Sequence, residues 1–148
     1  MKFSKKCRYG VTALIDLAMH SRDTHVSLGS IAERNQISPQ YLEQVFASLR
    51  RARIVRSVKG SQGGYLLKYP PSSITVASII QALEGTYYLD DEETKTEESA
   101  AGIAETIQED IVDRVNHGLD QILQNLTLAD LEESFQERQS GGQEMYYI

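Results

Sequence analysis

The stretch Ile37-Ser38-Pro39-Gln40-Tyr41-Leu42-Glu43-Gln44-Val45-Phe46-Ala47-Ser48-Leu49-Arg50-Arg51-Ala52-Arg53 decides how this chain reads. Ser38 suits a helix N-cap and Pro39 the first helical position, where proline has no hydrogen bond to lose and its φ is already helical. From there Leu42, Val45, Phe46 and Leu49 fall on one face, the spacing of a helix laid on a core. Gln40, Tyr41, Glu43, Gln44 and the arginines Arg50, Arg51 and Arg53 fall largely outside it.

Upstream, Ser4 can cap a first helix with Cys7, Val11, Leu14, Ile15 and Ala18 on its inner face, ending near His20–Arg22. Ser27 can cap a short second helix burying Leu28, Ile31 and Ala32, stopping around Asn35. Downstream of Ile54 the period changes from helical to alternating. Ile54–Val58 and Gly64–Leu67 then flank Lys59-Gly60-Ser61-Gln62-Gly63, a β-hairpin with a basic, glycine-rich tip. After Pro70-Pro71, the residues Val76, Ile79, Ile80 and Leu83 predict a fourth helix ended by Gly85. Two helices, a Ser-Pro-capped helix and a basic hairpin make the order of a winged helix-turn-helix. In that geometry the third helix enters the major groove while the wing reaches the DNA backbone or minor groove.

The formal charge of −6 speaks, taken alone, against a nucleic-acid partner. Its distribution speaks for one. Residues 1–74 carry twelve Lys and Arg against four acids, a net +8, and the remaining half is net −14. A basic half beside an acidic one suggests a DNA-facing surface joined to a separate partner or dimerisation region. Ser38, Gln40, Tyr41 and Gln44 can donate and accept hydrogen bonds at base edges, and Glu43 can accept from a cytosine amino group. Lys5, Lys6, Arg8 and Arg50, together with Lys2, Arg51 and Arg53, are candidates for phosphate contact, and Lys59 occupies the wing tip beside Gly60, Ser61 and Gly63. The competing reading is a winged-helix adaptor that binds only protein, its basic residues serving solvation.

The second half predicts different elements. Tyr87 to about Gly102 is acidic and small in composition and reads as a mobile loop. Ile103, Ile107, Ile111, Val115, Leu119, Ile122 and Leu126 then predict a helix of roughly 35 Å. Their spacing is mostly four, so the stripe drifts around the helix. With few other elements nearby, Ile107, Ile111, Val115, Leu119 and Ile122 are expected to meet a second copy of the chain. Thr127 caps a short turn, Leu128–Leu131, and a polar tail ends in Met145-Tyr146-Tyr147-Ile148. The expected organisation is a mainly α fold with a small β-hairpin wing. It comprises a winged helix-turn-helix over 1–85, an acidic loop over 86–102, a dimerisation helix with its cap over 103–131 and a tail over 132–148.

No stretch approaches the roughly 20 apolar residues that span a bilayer, and Met1–Lys6 lacks a signal-peptide core, so a cytoplasmic protein without membrane contact is expected. Cys7 is the single cysteine, which excludes an intramolecular disulfide and a protein-only set of cysteine ligands. It reads as a residue on the inner stripe of the first helix or as a redox sensor, Lys5, Lys6 and Arg8 being able to lower its pKa if it is exposed. His20, His25 and His117 are scattered without ligand spacing, and no nucleophile triad, phosphate loop or carboxylate pair points to an enzyme. No metal site is expected.

Arg8-Tyr9-Gly10, Ile31-Ala32, Ile37-Ser38, Tyr41-Leu42-Glu43-Gln44, Val58-Lys59-Gly60 and Gly63-Gly64-Tyr65-Leu66-Leu67 resemble the Rrf-two family of bacterial winged-helix regulators. The resemblance is dense over 1–85 and looser along the long helix. It implies a dimeric transcription regulator on palindromic double-stranded DNA, with Glu43 and its neighbours reading bases, Lys59 near the minor groove, and Tyr9 a further DNA-binding candidate. Several members hold an iron-sulfur cluster on three cysteines in the loop before the long helix. This loop has Glu92, Glu93, Glu97 and Glu98 and no cysteine, and carboxylates without thiolates are poor cluster ligands. No cofactor is therefore expected. The loop, the Thr127–Leu131 segment and the terminal residues resemble the cluster-free CymR type, which represses cysteine metabolism and is controlled by cysteine synthase. That likeness implies that Tyr146, Tyr147 and Ile148 dock into the enzyme; the alternative is that they pack on the dimer. A regulator of the same family that senses a small molecule or oxidant directly is the other alternative.

Overall fold

In the computed structural model, which describes residues 2–89 and 101–146, the first three helices start where short polar side chains cap them. α1 (Lys5–His20) begins with the Ser4 hydroxyl accepting from the Cys7 amide at 3.1 Å. α2 (Leu28–Asn35) begins with Ser27 accepting from Ser30 at 3.1 Å, and α3 (Pro39–Arg51) with Ser38 accepting from Tyr41 and Pro39 in its first turn. Each cap satisfies one of the free amides at a helix start, a contribution of about 1 kcal/mol.

The ends of α2 and α3 are closed by backbone hydrogen bonds, and at α2 Asn35 Nδ2 also donates to Ile31 O at 2.9 Å. Past α3, Arg53 takes φ 61° while its amide donates to Arg50 O and the Ile54 amide donates to Leu49 O, both at 3.0 Å. Past α2, Gln36 takes φ 53° and the Ile37 amide donates to Ala32 O at 3.1 Å. These are left-handed closures that usually recruit glycine. Buried Ile37 and Ile54 follow them directly, so core packing holds a conformation that the preceding side chains disfavour.

β1 (Val55–Val58) pairs antiparallel with β2 (Gly64–Leu67), Val55 opposite Leu67 and Val58 opposite Gly64. α4 (Val76–Glu84) is capped by Thr75 and closed by Gly85 at φ 89°. α1 crosses α2, α3 and α4, and Leu14, Leu17, Ile31, Leu42, Val45, Phe46, Leu49 and Ile79 have no exposed surface. Each contributes about 1.5–3 kcal/mol relative to exposure. Buried Asp16 joins the first two helices: Arg34 donates to it through Nε at 2.9 Å and Nη2 at 2.7 Å, and Asn35 Nδ2 donates at 2.9 Å.

Residues 101–123 form one continuous helix of three parts: α5 (Ala101–Ile107), a π-helical segment (Gln108–Asp113) and α6 (Arg114–Leu123). In a pure α-helix a spacing of four drifts about 40° per step. The wider i→i+5 turn of the π segment takes back part of that drift. Ile103, Ile107, Ile111, Val115 and Ile122 are exposed, whereas Leu119, Leu123 and Leu126 pack on the chain's own core. The expected loop over 86–102 is described at its two ends, and its last two residues, Ala101 and Gly102, already belong to α5. At its beginning Tyr87 and Tyr88 both donate to Asp120, the latter at 2.7 Å, and the Leu89 amide donates to Asn116 Oδ1 at 2.8 Å. Residues 90–100 lie outside the described residues.

The largest departure from the sequence reading is at the C-terminal end. A short turn and polar tail are expected after Thr127, but α7 runs as one 19-residue helix, Leu128–Tyr146. Its start is a reciprocal capping box: the Thr127 amide donates to Asp130 Oδ2 at 3.0 Å and the Asp130 amide to Thr127 Oγ1 at 3.2 Å. Leu128 is fully buried, and Arg22 pairs with Glu132 at 3.0 Å, so the first turns of α7 are held against α1. Glu, Gln and Arg then continue the helix, against the cost of Ser140, Gly141 and Gly142.

Candidate nucleic-acid interface

The outward side of α3 presents Ser38, Gln40, Glu43, Gln44 and Arg50, all exposed, above the fully buried Leu42, Val45, Phe46 and Leu49. Tyr41 is half-buried because its ring meets Tyr9 of α1 edge-on at 5.5 Å and 87°. Lys5 Nζ lies 5.5 Å from the Tyr9 ring centroid, and Lys6 Nζ donates to Ser48 Oγ on α3 at 3.4 Å. The structure thus brings the start of α1 beside α3. Lys5, Lys6 and Tyr9 belong to one group with Tyr41 and Ser48, although more than thirty positions separate them in sequence. Arg8 is exposed, its guanidinium stacked on Phe3 at 5.4 Å.

The wing is a separate arm of the same surface. Lys59, Gly60 and Ser61 are exposed at its tip and Gly63 is half-buried. Gly60 takes φ 124°, which L side chains rarely adopt. The Tyr65 ring on β2 packs against Phe46 of α3 at 4.7 Å, so the hairpin is built onto the inner side of α3. Arg51, Arg53 and Arg56 add exposed positive charge between helix and wing. Arg56 was missed by the sequence reading. Its signal is strand alternation, since it follows buried Val55 and therefore points outward.

Two further features set the electrostatics. The Asp16 carboxylate hydrogen-bonded to Arg34 raises that guanidinium above its ordinary value and consumes its charge internally, so Arg34 is not free for phosphate. Burial pushes the Cys7 thiol up to about 11, and the Glu84 charge adds to it. Cys7 has no exposed surface, which favours the structural reading over a thiolate sensor. Polar donors and acceptors on α3 flanked by lysines and arginines form a surface able to read base edges and to neutralise phosphates. Tyr147 and Ile148 lie outside the described residues, as does the side chain of Tyr146.

Comparison with known proteins gives this surface its context. Residues 3–134 match the family described as Rrf2, iron-dependent transcriptional regulator. The HTH-type transcriptional regulator IscR of Yersinia pestis is 38% identical over 135 residues, covering 88% of this chain and 79% of the relative. CymR of B. subtilis, the global cysteine regulator, superposes with a TM-score of 0.76 at 36% identity over 90% of this chain and 98% of that one. IscR of T. potens superposes with a TM-score of 0.71 at 40% identity over 94% and 91%. These relatives are transcriptional regulators and not enzymes. No helix among the described residues is long and apolar enough to cross a membrane.

The expectation of a cofactor-free chain is corrected by these matches. The family is described as iron-dependent and the IscR proteins are among the chain's relatives, so the absence of cysteines from the loop does not exclude a cofactor. The described residues do not themselves fit one. They contain no group of three or more His, Cys, Asp and Glu placed to hold a metal, and the single thiol is sealed in the core.

Proposed function

The chain belongs to the Rrf2 family of transcriptional regulators, which bind DNA, and from that premise we propose that it is a homodimeric repressor of a palindromic operator. The observation that carries this reading is the exposed polar face of α3, flanked by Lys5, Lys6 and Arg8 on one side and by Lys59 on the other. Gln40, Glu43 and Gln44 read bases in the major groove, with Ser38 and Tyr41 at the helix start. Lys5, Lys6, Arg8 and Arg50 hold phosphates, Tyr9 supports Tyr41, and the wing tip Lys59–Gly63 enters the neighbouring groove. Two copies joined along Ile107, Ile111, Val115 and Ile122, with Leu119 at the inner edge, place two recognition helices on half-sites about one helical turn apart.

Selection from random duplexes tests this. It should return an inverted repeat, and footprints on it should collapse when its two half-sites are moved apart by about five base pairs. Enrichment of a single asymmetric element would refute the dimeric reading.

The proposed regulated process is cysteine and sulfur metabolism, with cysteine synthase as the controlling partner. Similarity to the B. subtilis cysteine regulator supports it, and the segment Tyr146–Ile148 at the end of α7 is the proposed docking element. A pull-down of cysteine synthase by the full chain, lost on deleting Tyr147 and Ile148, is the expected outcome. Equal recovery without them would remove the docking role.

A further inference from the structure

The wing rests on one turn. Between α1 and α2, the Val26 amide donates to Tyr65 O at 3.0 Å and the Tyr65 amide donates back to Val26 O at 2.8 Å, so Val26 lies against β2 as a single-residue third strand. Backbones approach so closely there that a Cβ on Gly64 would lie 2.4 Å from Val26 O. These contacts fix the base of the hairpin. The tip is held differently: the His25 ring Nε2–H donates to the Gln62 carbonyl. Among the described residues this is the one hydrogen bond joining the tip Lys59–Gly63 to anything outside the hairpin.

The surroundings make that bond consequential. Beneath the tip lies an open cleft of about 570 Å³ lined by His20, Ser27, Ser30, Arg34, Ser61 and Gln62 together with the turn itself. No side chain fills it to prop the hairpin, and Gly60 and Gly63 give the tip little stiffness of its own. The turn, in contrast, is anchored: Val26 is buried, and Arg22 is tied to buried Glu132 of α7. His25 is only half-buried, so its ring adds little to the core.

We propose that His25 is the positioning residue of the wing, its hydrogen bond to the Gln62 carbonyl setting the stance of Lys59 relative to the base-reading edge of α3. A tip held in place before binding has less freedom to lose when it meets the duplex, and the spacing between helix and wing contacts is set in advance. The DNA consequence rests on the reading that Lys59 contacts DNA; the positioning does not.

Two measurements on the full chain separate those statements. In the free protein, amide hydrogen exchange at Gly63, whose N–H donates to Gly60 O, should run about threefold to tenfold faster in His25→Ala, the scale of one lost hydrogen bond. Exchange at Val45 to Leu49 should be unchanged. His25→Gln, which keeps a side-chain N–H, should restore the slow rate. With operator DNA, His25→Ala should weaken binding by no more than the few-fold loss of Lys59→Ala, and add nothing in the Lys59→Ala background.

Unchanged Gly63 exchange in His25→Ala would overturn the inference, as would failure of His25→Gln to restore it. Faster exchange together with wild-type affinity in Lys59→Ala would leave the positioning standing and remove the DNA contact of the wing. Additive losses in the double variant would show that His25 acts on DNA by some route other than Lys59 and would overturn its role in setting that residue's stance.

Discussion

α3 and the long helix over 101–123 carry apolar stripes of similar helical period and meet opposite fates. On α3 the stripe has no exposed surface, whereas Ile103, Ile107, Ile111 and Ile122 are each more than half exposed and Val115 is 42% exposed. The difference lies in neighbours. α3 has α1, α2, α4 and β1 around it, while the long helix reaches back to the core through its second half, where Leu119 and Leu123 pack on it and Asp120 accepts from buried Tyr87. Single exposed apolar residues are ordinary, but a row of β-branched residues along one helix is a surface awaiting a partner. One region closes its core within a chain; the other leaves its apolar row uncovered, the face proposed to meet a second copy.

The comparison breaks most decisively at the projecting helix. Ile111→Glu should convert the chain to a monomer in sedimentation and, by removing two-site engagement, lower operator affinity about a hundredfold. A wild-type chain already monomeric at micromolar concentration would end the distinction between the two helices. The self-contained region should fail at its buried charge. Asp16→Ala strips Arg34 of its carboxylate and leaves Asn35 with only the Ile31 carbonyl; it should cost about 2 kcal/mol in urea unfolding, less than for a fully enclosed pair because Arg34 reaches solvent.

Smaller effects sharpen the exposed side of α3. Glu43→Ala should relax preference at one base pair by about tenfold, read by competition between matched and mismatched duplexes. Lys59→Ala should weaken all duplexes by a few fold and reduce the slope of log affinity against log salt by about 1 if the amine meets phosphate. Equal preference in the first case and an unaltered slope in the second would empty those assignments.

The smallest effect concerns Cys7. Its folded pKa of about 11 lies above the 9.0 of a free thiol, so the neutral form is the one favoured by folding. The stability this contributes is complete below about pH 9 and is lost as the pH rises through 11. At neutral pH, iodoacetamide should label Cys7 no faster than the chain unfolds; rapid labelling of the native protein would reopen a sensing role.

Helices α1 to α4 were legible because their boundaries are local. Ser4, Ser27, Ser38-Pro39 and Gly85 are short-range signals, and the buried faces repeat at helical spacing. α7 was not legible. Ser140-Gly141-Gly142 and the polarity from Glu132 onward resemble a tail, while the forces that start the helix are the Thr127–Asp130 box and the burial of Leu128 in the core, where its amide donates to Ile74 O more than fifty positions away. The π segment escaped because its residues have no composition that separates them from α-helix. At the interface, Gln40, Glu43, Gln44 and Lys59 were visible as residue types in a motif. Their company was not: the packing of Tyr9 on Tyr41, the bond from Lys6 to Ser48 and the tie between His25 and the wing join positions far apart in the chain.

What the sequence determined by itself was the order of elements, the polar edge of the third helix and the division of charge into a basic half and an acidic half. These follow from capping, periodicity and side-chain chemistry, all readable within a few residues. Tertiary structure decided which apolar faces stay uncovered, which arginines are spent inside the protein and how the wing stands over its cleft. Those outcomes depend on which surfaces meet, because burial and hydrogen-bond partners are properties of pairs of residues and a single chain position carries only one member of each pair.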